Sequence, residues 1–282
     1  ADILLVKMDD TNGDFLWTKI YDFPLDDQGL GVQQTSDGGY IVTGATQSYG
    51  AGDWDIFLLK TDAKGDSLWL RTYGGSGGDG SWVAEQTPDG GYFIAASTES
   101  YGAGGADIWL LKTDADGDTL WTKTYGGAGN DAVWPEDGGW TIVKGHCTPN
   151  DGGYIVASYT NSFGDGDFNM WLLKTDANGD TLWTKFYGGP EDELGFFMDV
   201  QVTTDGYILA GCTYSYGQGT PAENNAYLVK TDDKGDVLWT KTYGGVGQDE
   251  AFVVQQTADG GFVISVHSDS YGAGGNDIYL IR

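Results

Sequence analysis

Apolar residues fall along this chain in two kinds of run. The first kind is continuous: Tyr92–Ser97 reads YFIAAS, and in Asp107–Thr113 the residues Ile108, Trp109, Leu110 and Leu111 fill both sides. Short runs rich in aromatic and aliphatic residues and bounded by glycine turns predict strands buried on both faces. The second kind alternates: in Leu120–Tyr125, Leu120, Thr122 and Thr124 face one way, and Trp121, Lys123 and Tyr125 the other. A lysine beside large aromatics on an alternating strand predicts a half-exposed outer edge. Ahead of both, SWVAEQT at Ser81–Thr87 is poorer in apolar residues and runs into the turn PDGG, where glycine accepts positive φ. It predicts a short inner strand. No helical period occurs anywhere.

These four strands recur. The hairpin DIWLLKTDADGDTLWTKTYGG (Asp107–Gly127) has copies beginning at Asp2, Asp55, Asn169 and Asn225, and a last partial copy at Asp277–Arg282. Trp17, Trp69, Trp121, Trp183 and Trp239 mark the period, with spacings of 52, 52, 62 and 56 residues. A four-stranded unit of this length, repeated without interruption, predicts an all-β chain in which residues 1–282 form one β-propeller domain of four-stranded antiparallel blades. Counting strands in that phase places a third strand at Asp2–Lys7 and a fourth at Phe15–Tyr21, then four complete blades. A first (Ala251–Thr257), second (Gly261–Ser265) and third strand (Asp277–Arg282) follow. Pairing Phe15–Tyr21 with the last of these gives five blades with mixed N- and C-terminal closure. One of the two third strands is then spare: an extra edge strand, a loose one, or one that pairs with another molecule.

Composition adds a charge argument. With 14 Lys+Arg against 42 Asp+Glu the formal net charge is −28, a field that repels nucleic acid and anionic lipid. At 40% hydrophobic residues the chain is too apolar for compositional disorder. No apolar stretch approaches the length of a membrane-spanning helix. Without a basic, apolar leader the chain is either cytosolic or exported with its signal peptide removed, as the start at Ala1 allows; the expected location is extracellular or at the cell surface.

Candidate chemistry sits where the repeats depart from one another. The stretch Trp134–Asn150 is longer than its counterpart in the preceding repeat and holds Trp134, Trp140 and His146. A second lengthened connection begins at Tyr214 and contains Tyr216. Exposed aromatics on such loops suit a glycan or a peptide. The acids Asp79, Asp131, Asp192 and Asp249 follow the glycine turn before each inner strand, so they either cap their own turns or share calcium or another hard cation. The loop Asp114–Asp118 has superficial calcium spacing, but Lys64 and Lys234 replace Asp116 in other copies, which favours a plain hairpin turn. Cys147 and Cys212, in neighbouring repeats, are either bridged or two buried thiols. No nucleophile elbow, zinc-protease, phosphate-loop or dinucleotide motif is present, and paired carboxylates for glycan hydrolysis stay open.

The order W-x-K-T-Y-G-G, Q-Q-T-x-D-G-G-Y-I-V-A-G, D-x-W-L-L-K resembles the propeller-type repeats of prokaryotic secreted and cell-surface proteins over essentially the whole chain. It is more distantly similar to quinoprotein-type blades, without a matching set of quinone ligands. The resemblance implies export and a binding or scaffold role, with no catalytic residue to carry over. The expected function is a non-enzymatic extracellular scaffold binding carbohydrate or protein; the alternatives are a self-assembling structural protein and, further off, a glycan hydrolase.

Overall fold

A computed structural model describes residues 2–132, 143–148, 151–164, 167–193, 198–218 and 223–282. Among these residues every regular element is a β-strand, and no helix is present. Four sheets carry four antiparallel strands each, in simple meander order. They are β3 (Asp27–Gln34) to β6 (Ser67–Tyr73) through β4 (Tyr40–Thr46) and β5 (Asp55–Thr61), and β7 (Asp79–Gln86) to β10 (Thr119–Tyr125) through β8 (Tyr92–Thr98) and β9 (Asp107–Thr113). Then come β11 (Lys144–Cys147), β12 (Tyr154–Thr160), β13 (Asn169–Thr175) and β14 (Thr181–Tyr187), and after them β15 (Asp199–Thr203), β16 (Gly206–Thr213), β17 (Asn225–Thr231) and β18 (Val237–Tyr243). The second and third strands of each sheet are buried along their whole length, while the fourth is a half-exposed edge, as their hydrophobic patterns predict.

The two remaining sheets are smaller. β1 (Ile3–Met8) and β2 (Phe15–Tyr21) form a hairpin, and β19 (Asp249–Gln256), β20 (Phe262–Ser268) and β21 (Asp277–Ile281) form a three-stranded sheet. The expected pairing of Phe15–Tyr21 with Asp277–Arg282 is not formed: β2 pairs with β1, and β21 with β20 alone. The physical reason is locality, since β1 carries the same pattern as β21 and reaches β2 across a short turn at a much smaller cost in loop entropy.

The chain forms two compact units, Ala1–Gly102 with Ile108–Thr124, and Ala103–Asp107 with Tyr125–Arg282. Within each, sheets stack by one rule. Alternate third-strand residues of one sheet enter the second strand of the next: Ile56 and Leu58 join Tyr92 and Ile94, Met170 and Leu172 join Tyr207 and Leu209, and Ala226 and Leu228 join Ile264 and Val266. Ile3 and Leu5 of β1 join Tyr40 and Val42 in the same way. Each buried Ile, Leu, Val or Met side chain among them contributes on the order of 1.5–3 kcal/mol.

The recurring Trp and Tyr of the fourth strand fasten this stacking. The Trp69 ring meets Tyr92 edge-on at 5.8 Å, and Trp183 meets Tyr207 at 5.9 Å. Two residues further on from the lysine position, Tyr73 and Tyr187 donate their hydroxyls to the carbonyls of Gly117 and Gly235 in the next hairpin turn, at 2.6 and 2.8 Å. In those turns the first Asp uses its own carboxylate: Asp114 Oδ1 accepts the N–H groups of Asp116 and Asp118, and Asp62, Asp176 and Asp232 act likewise. The turn reading of Asp114–Asp118 accounts for these four copies.

Candidate functional site

Two polar clusters recur in the sheets. One surrounds a lysine. Lys60, Lys112, Lys174 and Lys230 sit at the same place in β5, β9, β13 and β17, and all are buried. Each donates to the carbonyl of the following Thr and pairs with the Asp of the preceding D-G turn: Asp37 at 2.9 Å, Asp89 at 3.0 Å, Asp151 at 2.8 Å and Asp205 at 2.8 Å. The Thr35 hydroxyl, the Lys60 ammonium and the Gly39 N–H together hold the Asp37 carboxyl down at about 2. The lysine thus ties the second and third strands to the turn between the first and second.

The other cluster surrounds a carboxylate at the start of the inner strand. Asp131 lies fully buried and accepts from Gly127 N–H at 2.7 Å, from the Ser162 hydroxyl at 2.8 Å and from the Thr160 hydroxyl. Asp27, Asp79 and Asp249 hold the same post, with Ser48, Ser100 and Ser270 as hydroxyl donors. In the remaining sheet the post belongs to Glu193, which accepts from Gly189 N–H and the Thr213 hydroxyl, both at 2.8 Å. Asp192, the residue nominated from the sequence, is half-buried and accepts from the Phe168 N–H instead. An acid one position later with one more methylene reaches the same donors.

A second acidic series faces the first. The opening residues of the third strands are Asp55, Asp107, Asn169, Asn225 and Asp277. A Cβ built on Gly126 would lie 1.5 Å from Asp107 Oδ1 and 2.7 Å from Asp131 Oδ2, so the absence of a side chain there lets two carboxyl groups meet. Asp55 and Asp79 converge on Gly74 in the same manner. Burial, reinforced by the neighbouring Asp131 carboxylate and opposed by the Ala103 N–H, pushes Asp107 up to about 6. Burial likewise raises Asp79, Glu193 and Asp199. In the next two sheets an amide replaces the carboxylate and the loop contact reverses. Asp107 accepts from Ala103 N–H at 2.7 Å, whereas Asn225 donates through Nδ2 to the Gln218 carbonyl at 2.9 Å.

These shifts fix the sign of a pH effect. A carboxyl raised above its ordinary value favours the folded chain at low pH, and that contribution is lost as pH rises from about 4 through about 6. Asp37 and its lysine-paired counterparts act oppositely, and their contribution is lost as pH falls from about 4 towards about 2. Unfolding midpoints in urea are therefore expected to peak in mildly acidic buffer, near pH 4–5, and Asp107→Asn should flatten the alkaline side of that peak. A wild-type midpoint that rises steadily from pH 4 to pH 8 would contradict the assignment.

Of the remaining nominated residues, His146, Tyr214 and Tyr216 lie among the described ones. Trp134 and Trp140 lie outside the described residues. His146 is half-buried on β11, its backbone opposite Ile155. Tyr214 is half-buried, and its N–H donates to the Asp192 carbonyl. Tyr216 donates its hydroxyl to the Gly188 carbonyl at 2.9 Å with its ring 5.6 Å from Tyr227. Among the described residues no group of three or more His, Cys, Asp or Glu is placed to hold a metal ion. Asp79, Asp131 and Asp249 are taken up by their own turns and hydroxyls, and Asp192 by the Phe168 N–H. Cys147 and Cys212 are two thiols rather than a disulfide, and burial pushes the Cys212 thiol well up. A cleft of about 290 Å³ lies beside Asp151, Asp205 and Asp233, but the first two carboxylates already face Lys174 and Lys230.

One feature of Tyr216 was not legible as a site from its loop alone. Tyr49, Tyr101, Phe163 and Tyr271 occupy equivalent places after the second strand, and all five residues are exposed to between 39% and 46%. Tyr101 and Tyr271 are anchored as Tyr216 is, through hydroxyls to Gly74 and Gly244 and through rings 5.0 Å from Trp109 and Tyr279. Phe163 packs on Trp171, and Tyr49, where the Tyr-Gly-Gly turn is lost, packs edge-on against Phe23. The signal available in sequence was the repeated S-[YF]-G.

No family model and no curated protein sequence matches the chain. Similar solved structures include a puromycin hydrolase, 13% identical with a TM-score of 0.49 over 84% of this chain and 35% of that one. A putative glycoside hydrolase from Parabacteroides distasonis is 10% identical, with a TM-score of 0.38 over 90% of this chain and 86% of that one. A eukaryotic initiation factor is 10% identical, with a TM-score of 0.39 over 98% and 71%. The chain spans about a third of the length of the puromycin hydrolase. The class defined from the chain's own strands is an all-β repeat protein built from four-stranded antiparallel sheets.

Proposed function

We propose that the chain is a five-bladed β-propeller that acts outside the cell as a non-enzymatic binding scaffold, with carbohydrate or a surface protein as its ligand. The four complete sheets are four blades, and the fifth is β19–β21 completed by a fourth-type strand. The observation that carries the binding role is the recurring half-exposed ring at Tyr49, Tyr101, Phe163, Tyr216 and Tyr271. Each ring is fixed from behind and leaves a face to water, which is the arrangement that stacks on the apolar face of a sugar or a peptide side chain at small entropic cost. The acidic clusters support the scaffold role differently, because their carboxylates are engaged by turn N–H groups and hydroxyls in copy after copy.

The test is retention on insoluble polysaccharides together with a glycan array. Wild-type protein is expected to be retained by at least one polysaccharide, and Tyr101→Ala or Tyr271→Ala to weaken retention about tenfold, the scale of one lost aromatic contact. Binding untouched by substitution of any of these five residues would remove the rings from the reading. Turnover of a glycan that vanishes on changing one acidic pair would replace the scaffold with a hydrolase.

A further inference from the structure

The turn from first to second strand changes length along the chain. It reads T-S-D-G-G, T-P-D-G-G and T-A-D-G-G in three sheets, gains a residue in T-P-N-D-G-G (148–153) and loses a glycine in T-T-D-G (203–206). The cleft of about 290 Å³ lies where the longest and the shortest of these turns meet, with Thr148 and Asp151 from one and Thr203 and Asp205 from the other. Tyr207, at the start of β16, and Asp233, from the turn between β17 and β18, also line it.

These groups form an excess of acceptors with a charge left over. Lys174 and Lys230 pair with Asp151 and Asp205, whereas Asp233 has neither an ion pair nor a hydrogen bond among the described residues, so one negative charge stands uncompensated. The Lys230 ammonium and the Thr203 hydroxyl both fall on Asp205 Oδ1, at 2.8 and 2.9 Å, which leaves acceptor capacity on Oδ2.

Tyr207 supplies an independent observation. It is only 6% exposed, and its ring is held against Trp183 at 5.9 Å. Tyr73, Tyr101, Tyr187 and Tyr216 give their hydroxyls to glycine carbonyls, but that of Tyr207 has no hydrogen-bond partner among the described residues. Burial, reinforced by the Asp151 and Asp233 carboxylates, pushes Tyr207 up to about 12, so the hydroxyl stands on the acidic side of the cleft. A polar group enclosed without a partner costs free energy until something in the cleft bonds to it. Tyr92, the counterpart two sheets earlier, is flanked in the same way by Asp37 and Asp116, but there the turn keeps both glycines.

We propose that this cleft binds a small ligand through a primary ammonium group, which donates to the Asp233 carboxylate, to Asp205 Oδ2 and to the Tyr207 hydroxyl. An ammonium has three donors and one positive charge, and the cleft offers three uncommitted acceptor groups and one negative charge. Water or a neutral sugar serves the acceptors and leaves the charge. A calcium ion is the poorer match, because it gathers six to eight oxygens and two of the three carboxylates are already neutralised by lysines. The volume holds a short chain or a single sugar ring beyond the ammonium, so the shared chemistry is that of an alkylamine or a hexosamine. The cleft lies at the opposite end of β16 from Tyr216, and its test is therefore separate from that of the exposed rings.

Isothermal titration calorimetry with glucosamine, butylamine, glucose and butan-1-ol tests this, in saline that screens the general field of the net charge. Saturable binding of an amine without binding of its neutral analogue is the expected result. Both amines bound alike assign the ammonium alone, glucosamine alone an aminosugar, and butylamine alone an alkylamine. Tyr207→Phe, a change the chain itself carries at the equivalent Phe262, and Asp233→Asn, on the surface, should each weaken the amine about tenfold. Tyr92→Phe should leave the affinity unchanged. No binding of either amine, or glucose bound as tightly as glucosamine, overturns the proposal. So does an amine affinity untouched by both cleft variants, or weakened equally by Tyr92→Phe, since attraction would then come from the acidic surface at large. Calcium chloride binding with the same dependence on Tyr207 and Asp233 would give the cleft to a metal ion and overturn the ammonium.

Discussion

Asp131→Ala is expected to lower the unfolding free energy by about 3–5 kcal/mol, among the largest effects of any single truncation in the protein. The carboxylate is fully buried and accepts from the Gly127 N–H and from the hydroxyls of Ser162 and Thr160. Removing it leaves the buried Thr160 hydroxyl unsatisfied and takes a partner from the half-buried Gly127 N–H and Ser162 hydroxyl, and each unsatisfied buried group costs on the order of 1–3 kcal/mol. One relief works the other way, because Asp107 loses the repulsion of its neighbour. That relief lowers the cost without cancelling it, since the donors are several and the repelling partner is one. The measurement is the urea midpoint beside Asp116→Ala in the exposed hairpin turn, which should move stability by no more than about 0.5 kcal/mol. Equal midpoints for the two variants would show that the buried carboxylate does not organise its turn.

Gly91→Ala should be comparably damaging, and Gly90→Ala mild, although the two glycines are neighbours in one turn. Gly90 has φ +87° and nothing within 4 Å of a built Cβ, so its alanine meets only backbone strain, about 1–2 kcal/mol. At Gly91 the Cβ would sit 2.0 Å from the Thr113 carbonyl oxygen and 2.7 Å from Lys112 Nζ. That carbonyl belongs to the buried strand β9, which cannot withdraw without breaking its ladder and displacing the Lys112–Asp89 pair. We expect a loss of about 3 kcal/mol or more, at the upper end of the overpacking range. Gly39 and Gly153 repeat the geometry with 2.1 Å approaches to the Thr61 and Thr175 carbonyls, so Gly39→Ala and Gly153→Ala should cost about as much. A Gly91→Ala protein with the midpoint of Gly90→Ala would refute the steric argument.

Much of this architecture could be read from the chain because the repeat averages out local ambiguity. Tyr92–Thr98 and Asp107–Thr113 are continuous apolar runs, which by themselves fit either a strand or a buried helical segment; their recurrence between glycine turns removes the ambiguity. The half-exposed edge at Thr119–Tyr125 followed from Lys123 alternating with aromatics. What escaped were features that depend on which side chains meet across strands. The lysine in L-[LV]-K-T reads as a polar position, and only its pairing with the Asp of the D-G turn lets it be buried. A clue existed, for lysine keeps one strand position through the copies of a chain with only 14 basic residues. The acid of the fourth sheet was placed at Asp192 because a match by letter prefers aspartate to aspartate. The donors at Gly189 and Thr213 select by reach, and Glu193 meets them. Strand counting alone also favoured joining β2 to β21, and it took the register of β1 on β2 to expose a local competitor.

The buried lysines bear on how the folded protein meets proteases. Trypsin needs a basic side chain on a stretch of backbone that can leave its fold and enter the enzyme's cleft. Lys60, Lys112, Lys174 and Lys230 are enclosed on central strands and held by carboxylates, and Lys19, Arg71 and Lys185 lie within paired fourth strands. Lys64 and Lys234 stand apart, exposed at the tips of hairpin turns. Even there the backbone is bent tightly around the carboxylates of Asp62 and Asp232. The bonds that follow these residues therefore stay out of a protease's reach for as long as the sheets stay closed.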